Sequence, residues 1–253
     1  MKRYFFQIMY DGTAYSGWQK QDNAPSVQEC LESALTKLAR RDIEIVGCGR
    51  TDAGVHAYDY FFHADLDAYD LLEEEYRFKL NKMLPRDIAI VNIIPVPNEA
   101  HARFDASNRS YIYRMHFKKD PFLTRFSYRY NQSGMPDFAK MNEVASLFMN
   151  YNSFFPFCKT HTDVNNYDCE LFACEWIKEE NLWSFDVSAN RFLRGMIRLM
   201  AGACIRVASG KLNIEKLKLA LDKQERLEEA WSVPACGLGL SRIEYPFINK
   251  EKL

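Results

Sequence analysis

With 253 residues, 47% hydrophobic and 26% charged, the chain is long enough for one large domain or two halves of about 100 to 150 residues. Its first apolar run, "YFFQIMY", meets Asp11 and Gly12 too early for a secretory signal or a membrane span, so a cytoplasmic address and no membrane partner are expected. The formal net charge of −1 divides into −5 over residues 1–106 and +4 over residues 107–253, and seven scattered cysteines show no zinc spacing, so reduced thiols and no metal are expected.

In chain order, "YFFQIMY" reads as a strand stopped by a turn at "DG". After the polar loop "GWQKQDNAP", Ser26 and Glu29 form a capping box that opens a helix with Val27, Leu31, Ala34, Leu35 and Leu38 on one face, ending near Arg40. A strand over Ile43 to Val46 leads into the glycine-rich "GCGRTDAGVHA", Gly47 to Ala57, and "YDYFFHADL" is again extended. A helix from about Asp70 to Met83 precedes "LPRDIAIVNIIPV". The second half repeats this grammar loosely: the strand "RSYIYRMHF", the helix "PDFAKMNEVASLFMN", and two strands around a polar turn in "CELFACEWIKEENLWSFDVSA". Helices near Asn190 to Ala208 and Asn213 to Leu221 follow, and "LSRIEYPF" closes the chain as a strand. Strands outnumber long crossovers, which predicts an α+β fold with antiparallel pairing and helices packed on one side.

Three features carry candidate chemistry. From Arg103 to Arg129 there are seven basic residues, two acids and seven aromatics, a mixture that suits RNA phosphates and stacked bases, or equally a strand pair with aromatics inward and arginines outward. In "GCGRTDAG", Gly47 and Gly49 match the start of a dinucleotide fingerprint, but Asp52 takes its sixth position and would repel a pyrophosphate; the residues that follow are extended rather than helical. Asp52 instead reads as a reactive acid in a turn with little bulk around it, or as an ordinary turn residue bonded to its own backbone.

In "NRFLRGMIRLMAGACIR", Arg191, Arg194, Arg198 and Arg206 fall on one side of a helix with Phe192, Leu193, Met196, Ile197, Met200 and Ala203 opposite. No acid balances them, so an anion-binding face is the reading set against a solvated basic surface. Arg50, two residues before Asp52, is a candidate phosphate contact. The histidines (56, 63, 101, 116 and 161) lack metal spacing and read as structural hydrogen-bonding residues.

"GRTDAGVHA" resembles the signature of the TruA family of tRNA pseudouridine synthases. So do "YDGTAYSGWQKQ", "SVQE", "LPRDI", "HARFDA", "RSYIY", "NRFLRGMIR" and "GLGL", in order along the whole chain. The resemblance implies the pseudouridine synthase fold: two similar subdomains, 1–106 carrying the catalytic aspartate and 107–253 completing the site. They would share a largely antiparallel sheet with flanking helices and a central basic cleft. It implies a homodimer that grips tRNA and isomerises uridine at positions 38–40 of the anticodon stem-loop, with no cofactor. Asp52 would be the catalytic aspartate, acting as nucleophile or base, Arg198 its basic partner and Tyr111 the ring stacked on uracil. Arg50 would help extrude the base, Leu238 would be an apolar contact, and Arg191 and Arg194 would bind substrate. A non-catalytic RNA-binding protein of the same fold is the alternative. The chain departs from the family pattern at Tyr60, where Gln is usual, and at Asn166 and Tyr167, where a basic residue is usual.

Overall fold

The computed structural model describes residues 1–67, 73–159, 166–228 and 230–249. It divides into two compact units, Met1–Ser107 with Gly239–Leu253, and Asn108–Leu238. The last strand, which a division at residue 106 leaves with the second half, thus packs with the first.

In the first unit, β1 (Lys2–Tyr10) lies between β3 (His56–Leu66) and β4 (Ile88–Pro95), antiparallel to both, with Phe6 opposite Phe62 and Gln7 opposite Asn92. Tyr60 to Ala64 of β3 are all buried, so this strand is covered on both faces and shows no alternation. β9 (Leu238–Glu244) runs parallel to β3, pairing Gly239 with His56. It is fastened by Ile243 N–H, which donates to Asp59 Oδ2 at 2.9 Å, and by the Tyr245 hydroxyl, which donates to Ala102 O at 2.6 Å. Helix α1 (Val27–Ala39) starts as its capping box predicts: the Ser26 hydroxyl accepts from Glu29 N at 3.2 Å. It buries Val27, Leu31, Ala34 and Leu35.

The expected strand from Ile43 to Val46 shrinks to β2 (Val46–Gly47), paired with His63 and Phe62 of β3. Ile43 and Ile45 are buried, but side chains of α1 supply their backbone partners: Thr36 accepts from Ile43 N, and Gln28 donates to Ile45 O. Within the described residues α2 covers Glu73–Met83; positions 70–72 of the expected helix lie outside them.

The second unit orders β5 (Asn108–His116), β8 (Leu182–Ala189) and β7 (Leu171–Lys178) as an antiparallel sheet, with β6 (Tyr128–Arg129) parallel to the end of β5. α3 (Phe138–Phe148), α4 (Met196–Ala208) and α5 (Ile214–Lys223) complete it. The fold is α+β with mostly antiparallel pairing. Among the described residues no helix is long and apolar enough to cross a membrane.

Both units use one device on an edge strand. Asn81 of α2 bonds both backbone groups of Ile90 in β4, at 2.7 and 2.9 Å. Asn142 of α3 does the same to Trp176 in β7, at 2.8 and 3.0 Å. A side-chain amide presents the donor and acceptor of a neighbouring strand, so each edge ladder is closed by a helix.

The expected helix from Asn190 does not begin until Met196. Gly195 adopts φ +73°, outside the helical region, and the Arg194 carbonyl accepts from Lys159 N at 3.0 Å. Arg191 and Arg194 therefore precede α4 instead of sharing its face, and Arg206 reaches the carbonyl of Lys211. Of the four arginines read as one helical stripe, α4 carries only Arg198 and Arg206.

Candidate active site

Asp52 lies in the loop between β2 and β3, half-buried, with Thr51 buried before it and Ala53 exposed after it; Arg50 is exposed. The loop is held by the end of β1 and by the segment that follows it. The Tyr10 phenol is 2.9 Å from Thr51 Oγ1, Trp18 N donates to Thr51 O at 3.2 Å, and Gly54 N donates to Tyr15 O at 3.3 Å. Val55 N closes the turn onto Asp52 O at 3.2 Å. "YDGTAYSGW" and "GRTDAG", far apart in sequence, are two sides of one construction.

That closeness needs glycine at position 17. Its φ is +108°, and a Cβ there would stand 2.4 Å from Thr51 O. Gly54, at φ +76°, makes the turn after Asp52. The result is an aspartate whose backbone is held on both sides, with Ala53 exposed beside it.

The histidines behave as structural residues where they are described. His63 Nδ1 accepts from Ala102 N at 3.0 Å, His101 Nδ1 caps the amides of Arg103 and Phe104, and His116 Nδ1 is 2.8 Å from Ser127 Oγ. His56 is buried with Nδ1 3.1 Å from Gly12 N. His161 lies outside the described residues.

The second unit carries the other candidates. Tyr111 of β5 sits opposite Val187 of β8, half-buried, with the Phe192 ring edge-on at 5.4 Å and 86°. Phe192, read from sequence as part of an apolar helix face, is instead a loop residue packed edge-on against Tyr111. Only its neighbourhood in "NRFLRG" could have hinted at this.

Arg198, in the first turn of α4, donates through Nε to Val233 O at 2.7 Å, and Val233 N returns a bond to Arg198 O at 3.2 Å. The chain then runs from Val233 to Leu238, which is buried. A Cβ on Gly237 would meet Arg114 O at 2.5 Å and the Tyr113 ring at 2.8 Å, so only glycine lets this return segment lie against β5. Arg191 borders an open polar recess of about 400 Å³ with Asn152, Asp168 and Glu170. Arg194 is exposed. The structure thus groups Asp52 and Arg50 in one unit. In the other it joins Tyr111 to Phe192, and Arg198 to Val233 in the segment leading to Leu238.

The comparisons with known proteins cover the same elements. A family model described as tRNA pseudouridine synthase matches residues 7–105 and 151–246. The first stretch contains Arg50 and Asp52, the second Arg191, Arg194, Arg198 and Leu238; Tyr111 falls between them. A protein of Porphyromonas gingivalis named tRNA pseudouridine synthase A is 42% identical over 97% of this chain and 98% of its own length. Proteins of that name from Bacteroides fragilis and Bacteroides thetaiotaomicron are 41% and 43% identical over 97% of this chain, covering 97% and 91% of their own lengths. With more than half of its residues matched by the family model and near-complete overlap with such relatives, the chain belongs to the tRNA pseudouridine synthase family.

Proposed function

We propose that the chain isomerises uridine to pseudouridine at positions 38–40 of the tRNA anticodon stem-loop, with Asp52 as the reacting carboxylate. The observation that carries this reading is the mounting of Asp52. Its backbone is fixed through Thr51, Gly54 and Val55, while Arg50 and Ala53 beside it stay open to a large partner.

The reaction breaks the C1′–N1 bond of the nucleotide, turns the uracil and joins C1′ to C5. The C5 proton leaves and N1 takes one up, so composition and redox state are unchanged and no cofactor is called for. Asp52 serves it either by attacking C1′ or by removing the C2′ proton. Both routes use the ionised acid, for which Arg198 is the proposed partner.

The target base must first leave its stack, at a cost of a few kcal/mol. Arg50 assists that step, and the Tyr111 ring, held by Phe192, offers a face to the uracil. Leu238 is the apolar contact in the pocket, and Arg191 and Arg194 meet phosphates along a basic cleft. A cytoplasmic homodimer acting on tRNA is the form in which we expect this to occur.

The test is to incubate unmodified tRNA with the protein and map pseudouridines as carbodiimide-dependent stops of reverse transcription. Stops at 38–40 with wild type and none with Asp52→Asn, which should still retain the RNA, support the reading. Equal stops from both proteins refute the role of Asp52, and none from either would leave an RNA-binding protein without catalysis.

A further inference from the structure

We infer that Tyr60 is a positioning residue for the Asp52 loop: its phenol holds the Gly49 carbonyl and so sets the course of Arg50, Thr51 and Asp52. This rests on the reading of Asp52 as the reacting acid. Tyr60 is fully buried on β3, and its hydroxyl donates to Gly49 O at 2.5 Å.

The ring belongs to a fixed cluster. It stacks on Trp18 at 4.2 Å and 29°, and meets Tyr10 edge-on at 5.6 Å and 62°. Those two neighbours grip the same loop two residues further on, Tyr10 through the hydroxyl of Thr51 and Trp18 through its carbonyl. Three packed aromatics therefore hold Gly49 and Thr51, and Asp52 is the next residue.

The loop sequence is cut to admit the phenol. A Cβ on Gly47 would lie 2.1 Å from the Tyr60 hydroxyl and 2.6 Å from the Trp18 ring. At Gly49 the opposite holds: a Cβ would meet nothing within 4 Å, so packing does not brace that side of the peptide. A directional hydrogen bond from a stiff ring restrains it where contact does not.

Tyr60→Phe removes one oxygen and keeps the stack on Trp18. Because a catalytic group displaced by about 1 Å can lose on the order of 100-fold in rate, and a freed loop shifts by less, kcat on unmodified tRNA is expected to fall about 10-fold. KM for the tRNA should stay within about twofold, since the RNA-facing side chains are untouched. Phe61→Leu, which loosens the same strand from its other face, where the ring packs on Phe5 and Tyr245, is the control for a merely structural effect. It should lower thermal stability and keep kcat.

An unimpaired Tyr60→Phe, or an equal loss of kcat in Phe61→Leu, would overturn the inference. Asp52→Asn is assayed beside them. If it is inactive while Tyr60→Phe is unimpaired, the positioning role alone fails; if it turns over, the reading of Asp52 fails and takes this inference with it.

Discussion

Tyr10 and Thr51 meet hydroxyl to hydroxyl, 2.9 Å apart, in a place where both side chains are buried. The contact joins the end of β1 to the residue directly before Asp52. Strand pairing is cooperative over the whole sheet, so the loop inherits the rigidity of β1 through this one bond.

Thr51→Val keeps the branched shape and deletes the hydroxyl. Breaking one buried hydrogen bond in this way should lower stability by about 1–3 kcal/mol, read as a shift of the denaturant midpoint at unchanged slope. Turnover should fall as well, because the mount of Asp52 is loosened. An unchanged midpoint would show that the bond is not a stabilising one.

Gly17→Ala tests the other side of the loop. The new methyl would stand 2.4 Å from Thr51 O on a residue at φ +108°, so backbone strain and a clash act together. A loss of more than about 1 kcal/mol is expected from these two sources. Thermal melting of the variant measures it, and a melting point equal to wild type would refute the close approach.

The features legible in sequence are those set by neighbours along the chain. The Ser26 cap, the extended run of β3 and the glycine cluster around Asp52 are local, and local chemistry decides them. The misread elements depend on distant partners. Ile43 to Ile45 look like a strand, yet α1 side chains take their backbone groups. α4 starts late because Lys159 claims the Arg194 carbonyl and Gly195 turns left-handed, neither of which periodicity can register. The bond from Tyr60 to Gly49 is equally invisible, since nothing in "HAYDYFF" distinguishes a core tyrosine from one that holds a loop.

Arg198→Lys separates charge from geometry at the start of α4. Lysine keeps the positive charge but has no Nε donor in a planar fork, so the 2.7 Å bond to Val233 O goes and the charge is no longer aimed. If Arg198 partners the reacting acid, kcat should drop by about 10² while stability changes by only about 1 kcal/mol, the usual worth of one such hydrogen bond. Retained turnover in a folded Arg198→Lys protein would show that a positive charge suffices there without the guanidinium geometry.

His63 makes the first unit sensitive to acid. It is buried beside Arg3 and His101, with its Nδ1 committed to the Ala102 amide, and burial, then Arg3, lowers its pKa from 6.5 to about 4. Asp65 and Asp105 act the other way but do not reverse the shift. A group whose folded pKa lies below its unfolded value takes up protons first in the unfolded chain, so its neutral form supports the fold fully above about 6.5. That support is lost progressively as pH falls towards 4 and is levelled off below it. Melting temperatures taken from pH 7.5 to pH 4 should therefore decline most steeply in this window, and His63→Gln should decline less because its side chain does not titrate. Parallel profiles for the two proteins would mean that the acid sensitivity arises elsewhere.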